Sequence, residues 1–302
     1  MQRSPRPGAR RTGILHVHST YSHDGRDSIA RLRALALTRG IGFVGLTDHA
    51  EDLDAQRFAE LCRECREQSD SAVRIIPGLE FRFAGFRGLH LLAFGLREWI
   101  APATPEEFVA LARSRADFLA LAHPKLCRAE PPRTVLTGVD AVEVWNAAYN
   151  TRYLPDPKAI ALLRRIRRER TNVVGFAGLD QHDGSNDRQT RVVLDRPDAE
   201  PLDELRAGRF TNEGRTMRFS GATAWDPVRL GLLYAVRAIY DRVERFQDRA
   251  ARARSTRLAR RAALLAKAGA LNTERAAPAD PLAAYRRRLL EAEAREDAQQ
   301  RR

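Results

Sequence analysis

Residues 14–18 read Ile-Leu-His-Val-His, a short apolar run that ends in histidines and opens onto the polar loop Ser19 to Gly25. A run this short is a strand, not a helix. The same arrangement recurs along the chain. Gly42–Leu46 closes on Thr47-Asp48-His49, Val73–Ile76 precedes Pro77-Gly78-Leu79-Glu80, and Leu89–Phe94 is a further strand. Phe118–Ala122 ends in His123-Pro124, Ala141–Val144 in Trp145-Asn146, and Val173–Ala177 runs toward Asp180-Gln181-His182. Helical patterns alternate with these strands. Ser28 caps a helix through Thr38 that Gly40 stops, and Asp54–Ser69 is helical. Thr104 caps a helix opening on Pro105, Glu106 and Glu107, and Pro157–Arg170 is helical. Strand, loop and helix in repetition predict a parallel sheet with helices outside. Six or seven such units fit a barrel better than an open sheet, and the reactive residues fall after strand ends, where barrels place them.

Composition bounds the rest. The chain has 302 residues, 43% of them hydrophobic and 7% aromatic, enough for one large core. No apolar run approaches the roughly 20 residues of a membrane span. The basic stretch Met1 to Thr12 is followed by no signal core, so a cytoplasmic protein is expected. Three cysteines exclude a disulfide framework. Cys62 and Cys65 lie in a helical stretch without a second pair, so they read as a helix face, and Cys127 has no base near it in sequence. The net charge is +13, of which +8 falls between Ala222 and Arg302. That tail holds Arg249, Arg252, Arg254, Arg257, Arg260 and Arg261, an apolar stripe of Leu230, Leu232, Leu233, Val236, Ile239 and Tyr240, and a last charged helix at Leu282–Gln300. The expected domains are a disordered N-terminus at 1–12, a barrel at 13–221 and a basic helical extension at 222–302. The stripe is expected to pack on the barrel.

All seven histidines (His16, His18, His23, His49, His90, His123 and His182) fall at strand–loop junctions, and the tail has none. One histidine is weak evidence of function; seven in equivalent places point to shared ligands. Imidazole suits zinc, iron and manganese, and carboxylates can bridge two ions. On a regular strand residues i and i+2 face one side, so His16 and His18 can reach one ion while Leu15 and Val17 face away. Asp180 and His182 repeat the spacing, and Glu80 ends an apolar run.

In order, His16-x-His18 with Ser22-His23-Asp24-Gly25, Thr47-Asp48-His49, Gly78-Leu79-Glu80 with His90, and His123-Pro124 with Asp180-x-His182 resemble the PHP family, named for polymerases and histidinol phosphatases. The resemblance spans roughly residues 13–220. It implies a distorted seven-stranded β/α barrel of the TIM type with two or three divalent ions, manganese, zinc or iron. It places His16, His18, Glu80 and Asp180 on one ion, and Glu80, His90 and His123 on a second. His23, His49 and His182 fall on a third, His23 standing where many relatives have Asp. Asp24 and Asp48 would orient His23 and His49, or Asp48 would cap a helix. Glu143 would be a further ligand or base, or would buttress the site.

The function this implies is a metal-dependent phosphoesterase, a hydrolase that attacks a small phosphorylated metabolite or nucleotide with a metal-activated hydroxide. Asp48, His182, Arg82 and Lys125 are the expected catalytic residues, with Arg82, Arg87 and Lys125 as phosphate contacts. Trp145, Tyr149 or Tyr153 could stack on a base or ring, or pack against the rim. The alternative is a nuclease or repair-associated phosphodiesterase that holds nucleic acid with its basic tail. A binding module with a vestigial site fits poorly with a complete ligand set. No membrane partner is expected, and oligomeric state is left open.

Overall fold

The strands begin and end where local chemistry says they should. In the computed structural model of the chain, which describes residues 11–150, 153–184, 190–243 and 245–246, β1 (Thr12–Val17) leads through the Ser19–Gly25 loop to α1 (Ile29–Arg39). Ser28 accepts the Arg31 amide as N-cap, and Gly40 closes the helix at φ 66°, the left-handed conformation glycine tolerates best. Asp54 caps α2 (Ala55–Glu67), Thr104 caps α3 (Pro105–Ala112), and Asp156 caps α5 (Pro157–Ile166). The short α4 (Arg133–Gly138) and α6 (Pro201–Arg206) were not legible as helices.

Two six-stranded sheets result. The first has the order β12-β11-β10-β1-β2-β4, with β2 at Phe43–Leu46, β4 at Arg74–Ile76, β10 at Thr190–Leu194, β11 at Phe210–Gly214 and β12 at Arg218–Ser220. The second has the order β3-β5-β6-β7-β8-β9. Its strands are β3 (Asp48–His49), β5 (Gly78–Arg82), β6 (His90–Phe94), β7 (Phe118–Ala122), β8 (Ala141–Asn146) and β9 (Val174–Gly178). The resemblance implies a distorted seven-stranded β/α barrel; the described residues form an α/β fold of two mixed sheets. β6 runs antiparallel to β5 and β7, and β10 to β12 form an antiparallel meander on β1. The division has a local cause. β2 and β3 are separated by Thr47 alone, and β4 and β5 by Pro77 alone. Pro77 has no N–H to give a ladder. Backbone bonds also tie β1 to the residues after β9: Leu179 donates to Leu15 (2.9 Å), Gln181 to His16 (3.1 Å) and His18 to Gln181 (2.8 Å).

An aromatic core of Leu15, Phe43, Phe94, Phe118, Phe176 and Phe210 draws side chains from both sheets. α1 to α3 cover one outer face through Ile29, Leu32, Phe58, Leu61 and Phe108. Cys62 and Cys65 are buried there as free thiols, as a helix face requires. Burial pushes the Cys62 thiol up to about 11.

The chain divides into two compact units, Met1–Ile239 and Tyr240–Arg302. Residues 227–243 are helical. Within the first unit Leu230 and Leu233 bury against Ile160, Leu163 and Trp225. Leu232 and Ile239 are 65% exposed and Val236 40%. Only part of the expected apolar stripe packs on the sheets, because its members span more of the helix than one face can bury. Residues 1–10, the tail arginines from Arg249 and the segment Leu282–Gln300 lie outside the described residues. No helix among the described residues is long and apolar enough to cross a membrane.

Candidate metal centre

Glu80, in mid-β5, lies at the centre of the site. Its Oε1 is 2.7 Å from His90 Nδ1, 3.2 Å from His123 Nε2 and 3.6 Å from His16 Nε2. Its Oε2 is 3.2 Å from His49 Nδ1 and 3.5 Å from His18 Nε2. Asp180 Oδ1 stands 3.4 Å from His16 Nε2 and 3.3 Å from His18 Nε2. Asp24 Oδ2 stands 3.2 Å from His49 Nε2 and 3.1 Å from His182 Nε2. Four donor groups follow: His16, His18, Glu80 and Asp180; Glu80, His90 and His123; His18, Asp24, His49 and His182; and His16, His123 and Glu143. The strands converge on one end to make them, so six of the seven histidines meet there.

The spacings of His16 Nε2 and His18 Nε2 from Glu80 and Asp180, 3.3–3.6 Å, are those of donors that share a cation, whereas the 2.7 Å contact of His90 with Glu80 is a hydrogen bond. Two donors each about 2.1 Å from one ion at the tetrahedral angle stand about 3.4 Å apart, whereas a hydrogen-bonded N–H···O pair stands closer to 2.9 Å. His16 Nε2 and His18 Nε2 are fully buried and have no hydrogen-bond partner among the described residues. Each ring is oriented from its other nitrogen. His16 Nδ1 donates to Glu143 (3.0 Å), His18 Nδ1 to Ser22 Oγ (3.4 Å), and His182 Nδ1 to the Asp180 carbonyl (3.1 Å). That is how a ligating imidazole is usually held, with its lone pair turned inward. The residues present fit divalent cations.

Charge tells the same story. Burial opposes the charged form of His16, yet Asp180, Glu143 and Glu80 outweigh it and hold its pKa well above the histidine range. Burial likewise opposes ionised Glu80, but His16, His123 and His49 hold it well below the carboxylate range. His18 and His90 are pushed down by burial. Such an array needs protons or cations to balance it.

Among the described residues three other than glycine have positive φ: His16 (61°), His123 (20°) and Asp180 (50°). All three belong to the cluster. The β1–β2 register shifts between Leu15 and Val17, so His16 sits on a bulge. Simple alternation therefore fails: Leu15 joins the core between the sheets and Val17 the outer core. His16 and His18 reach Asp180 together through the bulge, not through a regular pleat.

Several expected site residues lie elsewhere. His23 is not in any donor group; its ring is exposed and pairs with Asp52 at 2.7 Å. Asp24, expected behind it, takes the inward position. The cause is Gly25, where a Cβ would fall 1.9 Å from the Ser19 carbonyl oxygen, so the loop turns tightly and presents Asp24. Asp48 faces away from the cleft and orients neither His49 nor a helix end. It accepts from Ser19 N (2.7 Å), Ser19 Oγ (2.8 Å) and Ser22 Oγ (2.8 Å), and so braces the loop that holds His18. Lys125 is outside the cleft, its Nζ bonded to the Tyr149 carbonyl at 3.0 Å. Trp145 is fully buried and stacks on Phe219. Cys127 has its thiol raised to about 11 by burial, the wrong direction for a nucleophile.

A cleft of about 330 Å3 opens over the cluster. Arg82 lines it as expected, its guanidinium 2.9 Å from His49 Nε2. Arg26, unexpected from sequence, lines it too, with its amide on the His182 carbonyl. Glu143 is a brace: its Oε1 takes His16, and its Oε2 takes the His123 amide (2.8 Å) and Asn146 Nδ2 (2.9 Å).

No curated protein matches the chain. Among solved structures, PsfC from Pseudomonas syringae is 16% identical, with 76% of this chain and 99% of that one covered and a TM-score of 0.49. A proposed metal-dependent phosphoesterase from Bifidobacterium adolescentis is 15% identical, over 57% of this chain and 88% of that one, at a TM-score of 0.43. An amidohydrolase from Chromobacterium violaceum, solved with sulfate and no metal, is 14% identical, over 66% and 96%, at 0.43. These likenesses are too distant to add to the assignment. The PHP domain matches residues 15–205, a span that contains every member of the donor cluster, and the chain belongs to the PHP domain family.

Proposed function

We propose that this chain is a metal-dependent phosphoesterase acting on a small phosphorylated molecule. The observation that carries the reading is Glu80, one buried carboxylate whose two oxygens face five imidazoles at 2.7–3.6 Å. His16, His18, Glu80 and Asp180 would hold one divalent ion, Glu80, His90 and His123 a second, and Asp24, His49 and His182 a third. Manganese, zinc and iron all suit these donors. Bound divalent ions supply an activated water and neutralise phosphoryl charge. The chain's own residues do the remainder. Arg82 and Arg26, at the cleft, present guanidinium forks that match phosphoryl oxygens. Glu143 fixes His16, and Asp48 fixes the loop behind His18. The cleft volume lies at the low end for small-molecule sites, which favours a metabolite over a polymer. The backbone bonds between β1 and Leu179–Gln181, with β2 continuing into β3 and β4 into β5, support reading the two sheets as a strongly distorted seven-stranded barrel.

The test is elemental analysis of the purified chain with a screen of phosphorylated metabolites and short oligonucleotides. Bound manganese, zinc or iron and chelator-sensitive release of phosphate are expected. Full activity in Asp180→Ala with metal present would sink the reading. The excess of +8 charges in the tail favours nuclease action as the second reading. Its mark would be nucleic-acid affinity that falls steeply with salt.

A further inference from the structure

The cleft over the donor cluster is walled almost wholly by charge. Among the described residues that line it, ten are acids, arginines or histidines; the eleventh is Tyr149. Whatever part of a substrate is not phosphate meets one apolar surface there. Tyr149 is 40% exposed. Its ring meets His123 at 5.0 Å between centroids and 67°, a contact steep enough to leave much of the ring open to the cleft.

The ring is also held in place. The Tyr149 amide donates to Asn146 Oδ1 at 3.0 Å, and its carbonyl accepts from Lys125 Nζ at 3.0 Å. Asn146 is fully buried, and its Nδ2 donates to Glu143, whose other oxygen holds His16. One chain of hydrogen bonds therefore fixes both a donor of the cluster and the aromatic wall. An aromatic side chain with two rotatable bonds, anchored at both backbone groups, loses little freedom on binding. Its phenol oxygen has no hydrogen-bond partner among the described residues, so the side chain is not committed elsewhere.

We propose that Tyr149 determines specificity for the leaving group, and that the site takes phosphate esters whose leaving group carries a flat unsaturated ring. The ring lies on Tyr149 while the phosphoryl group meets the donor cluster and the arginines. The proposal rests on the phosphoesterase reading above and deepens it. Stacking of this kind changes affinity by roughly five- to a hundredfold when the aromatic side chain is removed. An aliphatic leaving group finds no equivalent contact among the charged walls.

The test separates the two parts of the ligand. Phenylphosphonate and methylphosphonate, which share a headgroup and resist hydrolysis, are titrated calorimetrically into the manganese-loaded full chain and its Tyr149→Phe, Tyr149→Leu and Tyr149→Ala variants. Metal content and thermal midpoint are measured alongside; Tyr149→Leu keeps the bulk and serves if Tyr149→Ala does not fold. The phenyl compound is expected to bind at least about tenfold more tightly than the methyl compound to the wild type and to Tyr149→Phe. In Tyr149→Leu and Tyr149→Ala the gap should shrink to about twofold, with methylphosphonate affinity unchanged. Equal affinity in the wild type, or a gap that survives loss of the ring, overturns the inference and leaves the phosphoesterase reading standing. A gap lost in Tyr149→Phe assigns recognition to the hydroxyl and overturns stacking. If neither compound binds, the phosphoesterase reading falls and the inference with it.

Discussion

Gly178→Ala should weaken metal binding, chiefly by displacing Glu143 behind the ligand His16 and only slightly by crowding His16 itself. Gly178 ends β9, and a Cβ there would lie 1.9 Å from Glu143 Oε1 and 3.1 Å from His16 Cβ. Its φ lies outside the left-handed region, so alanine strains no backbone and the effect passes through the carboxylate. Ordinary contact begins near 3.4 Å, so Glu143 must retreat by about 1.5 Å. It cannot do so freely, because its other oxygen holds the His123 amide at 2.8 Å and Asn146 at 2.9 Å. The bond that yields is the 3.0 Å contact with His16. A buried polar group left without its partner costs about 1–3 kcal/mol, and loss of such a brace behind a metal ligand typically lowers affinity or activity about 10- to 100-fold. Competition with a chelator gives the affinity, and aryl phosphate turnover gives kcat/KM. Gly175→Ala on the same strand is the control. The nearest atoms to its Cβ would be those of Leu163 at 2.9 Å and Val144 at 3.2 Å, so it should lower stability and leave metal affinity intact. Wild-type metal affinity in Gly178→Ala would refute the bracing role given to Glu143.

Other outcomes follow from the same geometry. Asp24→Ala should lose metal content and activity, while His23→Ala keeps both; elemental analysis of the two variants decides between neighbouring residues that sequence reading interchanged. Chelation should lower the thermal midpoint, since metal held at a hundred times its Kd adds about 2.7 kcal/mol; an unchanged melting curve would deny any metal bound to the folded state. Glu204, buried between Arg196 and Arg209, has its pKa lowered to about 2, chiefly by their hydrogen bonds. A depressed carboxylate contributes stability above its ordinary pKa that fades as pH falls toward the folded value. Thermal unfolding of Glu204→Gln should therefore fall below wild type at pH 6, and the two should converge between pH 4.5 and 2.

The elements legible in the sequence were those with local causes: caps at Ser28 and Thr104, and apolar runs ending in histidines. The meander of β10 to β12 was not, because part of its pairing is done by a side chain. Buried Asn212 accepts the Ala177 amide at 2.7 Å and donates to the Gly175 carbonyl at 2.9 Å, and in sequence an Asn beside Glu213 and Gly214 reads as a turn. The antiparallel β5–β6 pair left a signal that went unused: Gly85 and Gly88, both at positive φ, close the hairpin. Asp24 was within reach of sequence reasoning as well, since an acid followed by glycine in a tight loop competes with the histidine before it. Arg26 carried no distinguishing mark in a chain this rich in arginine, and Tyr149 was one of three aromatics in a single loop; only convergence in space selects them.

The ligand residues expected from the first strand do reach one place, but for a reason the alternation rule does not contain. His16, His123 and Asp180 are held in left-handed backbone conformations, each costing on the order of 1–3 kcal/mol. Hydrogen bonds between β1 and Leu179–Gln181 on either side over-determine two of them. The same three residues carry buried, mutually coupled charge, and the orphaned Nε2 of His16 shows that carboxylate contacts do not satisfy it. A core selected for stability alone would have replaced such residues with apolar ones on a regular ladder. Strain and unsatisfied donors coinciding on one small set of atoms are therefore the mark of a ligand the fold is built to hold. A cation that balanced the charge would also offset the strain, and would make metal affinity and fold stability one linked quantity.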